Sequence, residues 1–376
     1  MNNLQSFLFK ALSIVIITTV FSCSQTEENP TLKDAYKDKF YIGTALNKDQ
    51  IMGKDSAANQ IIEKYFNSIT AENAMKWEKI HPKPDTFDFE AADKFVELGE
   101  KNSMYIVGHV LVWHAQTPKW VFEDENGNPA SRELLLERME NHIKTVVGRY
   151  KGRVHCWDVV NEAVDDTGEI RQNNWYNIIG EDYIQKAFEY ANKVDPDAHL
   201  IYNDYSVPMP RKLNGVIKMT KGLQEKGVKI DGIGLQGHYL FDFPEIEDLE
   251  KTIVEIANLG LKVHFTEIEL TVLPWPGEIV SADISLNFEM KKKYDLYPDG
   301  MPDSVETAFN NRYKDFFRLF LKHSEDIERV TFWGVTDSQS WRNYWPIYGR
   351  TDYPLLFDRE YNEKSVVQEL INLVKE

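Results

Sequence analysis

From about residue 40 onward, short apolar runs alternate with longer stretches in which apolar positions return every three or four residues. The runs are Phe40–Thr44, Asn67–Thr70, Met104–Gly108, Val154–Val159, His199–Tyr202, Gly232–Leu235, Val263–Thr266 and Arg329–Trp333. They are rich in the β-branched and aromatic residues that suit strands buried on both faces, such as Val154, Val159 and Val160 or Val263, Phe265 and Ile268. Between them the period changes. Arg132–Tyr150 places Leu135, Met139, Ile143, Val146 and Val147 on one helical face, and Leu249–Leu259 does the same with Ile253, Ile256 and Ala257. Eight strand-helix alternations predict an α/β fold, a single (β/α)8 TIM barrel. The competing architecture, an open doubly wound sheet, calls for a Gly-rich first turn, and none comes after the first run.

The residues just past each run carry the chemistry, because in a (β/α)8 barrel the reactive groups gather on the loops at the strands' carboxyl ends. After the second run come Glu72, Asn73 and Lys76; after the third, His109, Trp113 and His114; after the fourth, Asn161 and Glu162. The fifth leads to Asn203, Asp204 and Tyr205, the sixth to Gln236 and His238, and the seventh to Glu267 and Glu269. The eighth ends in Trp333, then Asp337 and Trp341. Glu162 and Glu267 stand out, since each closes a run of buried-strand character. A barrel brings two such carboxylates face to face across its mouth, an arrangement suited to chemistry that needs paired carboxyl groups.

The first residues read as an address. Lys10 precedes the apolar stretch Ala11–Phe21 and then Ser22-Cys23, too short to span a bilayer comfortably and similar to a bacterial lipobox. The reading divides the chain into a lipoprotein-type signal peptide over 1–22, a polar tether over 23–38 and a catalytic body over 39–376. It implies export, with a lipid on Cys23 as the one membrane contact at the bacterial cell envelope, or plain secretion. The remaining cysteine, Cys156, lies inside an apolar run and reads as a buried thiol. Lys and Arg number 43 against 60 Asp and Glu, a net charge of −17 that repels polyanions and argues against nucleic acid. Aromatic residues make up 12% of the chain, and they serve either a core or the flat faces of sugars.

Seven segments in order give the reading its specificity: TAENAMKW (Thr70–Trp77), GHVLVWHAQTPKW (Gly108–Trp120), WDVVNEA (Trp157–Ala163), NDY (Asn203–Tyr205), GLQGHY (Gly234–Tyr239), TEIE (Thr266–Glu269) and FWGVTDSQSW (Phe332–Trp341). Together they resemble glycoside hydrolase family 10, the retaining endo-1,4-β-xylanases. The resemblance implies that Glu162 is the general acid/base and Glu267 the nucleophile. It implies that Lys76, His109, Asn161, Gln236 and His238 hold the sugar at the cleavage point between Trp113, Trp333 and Trp341. Glu72, Asn73 and Tyr205 join the substrate-binding set. A retaining pair is expected about 5 to 5.5 Å apart, with the acid's pKa raised by the neighbouring charge. The expected substrate is xylan or a xylo-oligosaccharide, acted on by a monomer that needs no cofactor and no metal.

One departure affects the expected geometry. The family usually carries aspartate two residues after the nucleophile, supporting a histidine that orients it, whereas this chain has Glu269, whose extra methylene reaches His238 only if the backbone shifts. The stretch Leu273–Asn311 is too long for a simple strand-to-helix loop and is expected to border the product side of the cleft. Trp157 reads as core, and His109 with His114 lacks a third metal ligand at a zinc-like spacing. Two other functions fit the same residues: a related β-1,4-glucanase, and a xylan-binding lipoprotein without catalysis, which the intact carboxylates disfavour.

Overall fold

The structure is a computed structural model and describes residues 30–277 and 283–376. The signal peptide, Cys23 and the first part of the predicted tether, through residue 29, lie outside the described residues. Among the described residues nine strands are present: β1 (Tyr41–Leu46), β2 (Ser68–Ala71), β3 (Tyr105–Trp113), β4 (Cys156–Asn161), β5 (His199–Asp204), β6 (Gly232–Leu235), β7 (His238–Tyr239), β8 (Lys262–Leu270) and β9 (Ile327–Phe332). From β1 to β6 each strand pairs in parallel with the next, β6 pairs with β8, β8 with β9, and β9 closes the ring on β1. The two-residue β7 lies outside this ring and extends the carboxyl end of β8. The result is a closed parallel barrel of eight strands with helices between them, the predicted (β/α)8 architecture.

Side chains on both faces of these strands are buried, which explains why they read as apolar runs instead of alternating ones. Close packing requires glycine at particular points. A Cβ on Gly108 would lie 2.2 Å from the Trp157 ring, which fills the space between β3 and β4, and one on Gly234 would lie 2.3 Å from Asn203 Oδ1. Trp157 is core, as expected, and Cys156 is buried with Val107 and Ile201, burial pushing its thiol pKa far up. The barrel interior also holds charge. Arg329, fully buried, donates to His264 Nδ1 at 3.2 Å and reaches Asp158 at 3.5 Å, and Asp158 binds His109 Nδ1 at 2.8 Å.

Most strand boundaries differ from the sequence reading by one or two residues, and two strand ends and the end of the connection after β8 differ by more. β3 and β8 run on past Gly108 and Thr266, through His109–Trp113 and Glu267–Leu270, because polar residues at strand ends still pair their backbones. The β8–β9 register shifts between Phe265 and Ile268, an irregularity flanking Glu267. After β8 the irregular connection ends at Pro302, where the helix Asp303–Lys322 begins and buries Phe316, Phe317 and Phe320.

The folded body also begins earlier than residue 39. Thr31 caps a short helix, Leu32–Ala35, and both Leu32 and Tyr36 are fully buried. The Tyr36 ring sits 5.2 Å from Phe40 and 5.4 Å from Phe317, and its hydroxyl donates to Leu370 O at 2.8 Å. Residues 31–38 are therefore part of the domain and not tether. Their apolar positions are too few to show a period, and their partner, the helix Ser365–Leu373, lies at the other end of the chain.

Candidate active site

At the carboxyl ends of the strands, polar and aromatic side chains converge on a cavity of about 130 Å³. Its lining contains Glu72, Asn73, Lys76, His109, Trp113, Asn161, Glu162, Gln236, His238, Glu267, Trp333 and Trp341, brought together from loops and ends of six strands. Tyr205 is not in this lining. It is buried behind it, its hydroxyl accepting from Arg171 and the Lys212 ammonium 3.2 Å from its ring centre. In place of the expected position on the cavity wall, Tyr205 takes a supporting one, held by Arg171 and Lys212.

Glu162 immediately follows β4 with φ of 57°, a left-handed conformation that costs a non-glycine residue about 1–3 kcal/mol and persists only where neighbours hold it. Its N–H donates to Asn203 O at 2.9 Å. Its Oε1 accepts from Gln236 Nε2 at 2.9 Å and Asn161 Nδ2 at 3.0 Å, and its Oε2 from Trp113 Nε1 at 2.9 Å. Burial pushes its carboxyl up; the Gln236 and Trp113 bonds oppose this, the Glu267 charge adds to it, and the net displacement is upward.

Glu267 is displaced the other way. Burial works against its ionisation, but the hydrogen bond from His238, the fields of His109 and His238 and the bond from Asn203 outweigh it and hold the carboxyl below the usual range. His238 Nε2 lies 3.3 Å from Glu267, and Asn203 Nδ2 donates to Glu267 Oε1 at 2.9 Å. Asn203 also donates to Asn161 Oδ1 at 2.9 Å, so one amide links the neighbourhoods of both carboxylates.

Glu269 does reach His238. The β7–β8 register sets the two residues opposite each other, and His238 Nδ1 meets Glu269 Oε1 at 2.8 Å. The same oxygen accepts from Trp341 Nε1 at 2.8 Å and Arg342 Nε at 2.6 Å. Burial tends to lower the pKa of His238, while Glu269 and Glu267 on either side raise it, and the net shift is upward. The two flanking carboxylates thus favour the charged form of the imidazole that faces Glu267, and the longer acid is accommodated beneath it.

On the other wall, Lys76 donates to Asn73 Oδ1 at 3.0 Å and Gln116 Oε1 at 2.8 Å and lies 5.0 Å from the Trp113 ring. Burial lowers its pKa against the pull of Glu72, Glu267 and Glu162. Trp341 stacks on Trp345 at 4.5 Å with planes 9° apart, and Trp333 meets His109 edge-on at 5.4 Å. The site therefore offers one carboxyl displaced toward holding its proton, one displaced toward losing it, amides that can meet hydroxyls, and flat apolar faces. Among the described residues no cluster of three or more His, Cys, Asp or Glu could hold a metal.

Residues 31–373 match the profile of Glycosyl hydrolase family 10. The chain belongs to that family. This family 10 hydrolase is 45% identical over 347 residues to the endo-1,4-β-xylanase A of Xylanibacter ruminicola, covering 92% of this chain and 94% of the relative. It is 42% identical over 346 residues to the endo-1,4-β-xylanase A of Caldicellulosiruptor saccharolyticus, covering 91% and 96%. Among solved structures, a family 10 endoxylanase retrieved from sugarcane soil metagenome superposes with a TM-score of 0.87 at 47% identity, covering 92% of this chain and 99% of that one. A mutant enzyme in complex with xylotriose superposes with a TM-score of 0.81 at 38% identity, covering 91% and 99%.

Three site residues of the family 10 hydrolase escaped the sequence reading, and a fourth, Asn203, was named there without a role. Gln116 and Asn203 lie within the GHVLVWHAQTPKW and NDY segments, but nothing in their spacing shows that they grip Lys76 and Glu267. Arg342 comes directly after the last motif, and Ile284, which lines the cavity, comes from the patternless connection after β8. Because Arg342, Trp341 and His238 all depend on Glu269, Glu269→Ala strands a buried guanidinium and is expected to destabilise the fold by about 3–5 kcal/mol. Urea unfolding of the variant beside the parent measures this, and a loss under about 1 kcal/mol would refute it.

Proposed function

We propose that this family 10 hydrolase is an endo-1,4-β-xylanase that cleaves internal xylosidic bonds with retention of configuration, Glu162 serving as acid/base and Glu267 as nucleophile. The observation that carries the assignment is the opposite displacement of two buried carboxyls in one cavity. Environments that push paired acids apart define which donates a proton and which attacks. Glu162 gives its proton to the leaving oxygen as Glu267 bonds to the anomeric carbon; water, deprotonated by Glu162, then displaces Glu267 and restores both groups. Asn161, Gln236 and His109 bind hydroxyls around the reacting sugar, Lys76 with Glu72 and Asn73 holds the adjoining unit, and Trp113, Trp333 and Trp341 form the apolar walls. Glu269 orients His238 toward Glu267.

Xylan as the substrate is supported by the names of the relatives and by the xylotriose bound to one similar enzyme. Incubation with xylan and with soluble β-1,4-glucan, following new reducing ends, tests the choice. We expect release from xylan to dominate; equal release from both would defeat the assignment, and NMR of fresh products showing inverted anomers would defeat the double displacement. We further propose that the protein is exported and tethered through a lipid on Cys23, and that it works as a monomer, since one chain supplies the whole cavity. Labelling with a fatty-acid analogue in the parent but not in Cys23→Ser tests the anchor.

A further inference from the structure

Arg171 lies behind the cavity, on the return of the loop after β4, where a bridge pairs Val164 with Ile170. Its main-chain N–H donates to Ala163 O at 2.7 Å, anchoring the residue beside the turn that carries Glu162. Its guanidinium then divides three ways: Nε donates to the main-chain oxygen of Glu162 at 3.0 Å, Nη2 to the Tyr205 hydroxyl at 2.8 Å, and Nη1 to Asp283 at 3.2 Å. The side chain is 16% exposed, so these bonds form largely away from water. Ile284, the next residue after Asp283, lines the cavity.

This geometry bears on the proton donor because Glu162 holds a left-handed φ of 57° that it would leave if free to do so. Two bonds keep its flanking peptides in place: its own N–H on Asn203 O of β5, and its C=O under Arg171 Nε. The carboxyl's hydrogen bonds to Trp113 and Gln236 fix its tip but not its root. Without Arg171 the peptide after Glu162 can rotate and carry the acid away from the glycosidic oxygen. A displacement near 1 Å suffices to cost about 100-fold in rate.

We propose that Arg171 is a positioning residue for the proton donor, clamping the Glu162 peptide to the turn after β5 and to the wall that bears Asp283 and Ile284. This rests on the assignment of Glu162 as acid. A purely architectural arginine would weaken the fold and slow every substrate alike. A positioning arginine slows those whose leaving group needs a proton and spares those whose leaving group does not.

The test compares kcat/KM for xylan, phenyl β-xylobioside and 2,4-dinitrophenyl β-xylobioside in the parent, Arg171→Met, Arg171→Lys and Glu162→Gln, with thermal midpoints alongside. Arg171→Met is expected to lose about 30- to 100-fold on the first two substrates and less than about 3-fold on the dinitrophenyl one, the Lys variant falling between parent and Met. Equal losses on all three substrates, or no loss on xylan, would overturn the inference. Should the Met variant fail to fold, the ratio of the two aryl substrates in Arg171→Lys decides, an unchanged ratio counting against it. The Glu162→Gln arm separates the two readings. If that variant spares the dinitrophenyl substrate while Arg171→Met does not, only the role of Arg171 fails; if it slows all substrates alike, the acid assignment itself fails.

Discussion

Glu267→Gln is expected to abolish turnover of xylan and of activated aryl xylosides together, by something on the order of 10⁵-fold in kcat/KM. The amide keeps the size of the carboxyl and can still accept from Asn203 Nδ2, so the fold should persist. The variant lacks the atom that bonds to the anomeric carbon, and no leaving group however good replaces it. The substitution also removes a negative charge that raises the Glu162 pKa. Glu162 should therefore titrate lower in the variant than in the parent, which ¹³C NMR of the labelled carboxyl would detect; an unmoved titration would mean that burial alone sets it.

Glu162→Gln has a different signature. Loss of a general acid costs about 10²–10⁴-fold where the leaving oxygen must be protonated, as in xylan, and little where the aglycone departs unaided. The pH profile of kcat/KM gives a second readout with a defined direction. In the parent, activity falls on the alkaline side as Glu162, held above the usual carboxylate range mainly by burial, loses its proton. It falls on the acid side as Glu267, held below that range by His238 and Asn203 against burial, gains one. The Gln variant should lose the alkaline limb and keep the acid one. Persistence of both limbs would assign the alkaline titration to another group.

Much of this was legible in the sequence, for reasons that also mark where legibility stops. Parallel strands buried on both faces announce themselves as apolar runs, so all eight barrel strands could be located from Val, Ile and Phe alone. Their ends could not. β8 continues through Glu267 and Glu269 because its backbone pairing is indifferent to the polar side chains, which is also why a longer acid at 269 still reaches His238. The cavity lining was largely recoverable because each member sits just past a strand's carboxyl end. Residues that act through others, Asn203 between two carboxylates, Gln116 against Lys76 and Arg171 beneath Glu162, have ordinary local surroundings and acquire a role only when distant loops meet. Tyr205 shows the converse, an aromatic in the right segment that is buried against Arg171 and Lys212 and does not line the cavity. Leu32 and Tyr36 were hidden for a related reason: nothing near them in sequence reveals what they pack against.

The early start of the folded body bears on how the enzyme would meet its polymer. Tyr36 packs against Phe40, just ahead of β1, so the chain enters at the amino ends of the strands, on the side opposite the catalytic mouth. Between Cys23 and Thr31 at most about 28 Å of extended polypeptide is available. An acyl group at Cys23 would accordingly seat the base of the barrel close to the bilayer and aim the cleft away from it, toward polysaccharide arriving from the surrounding medium.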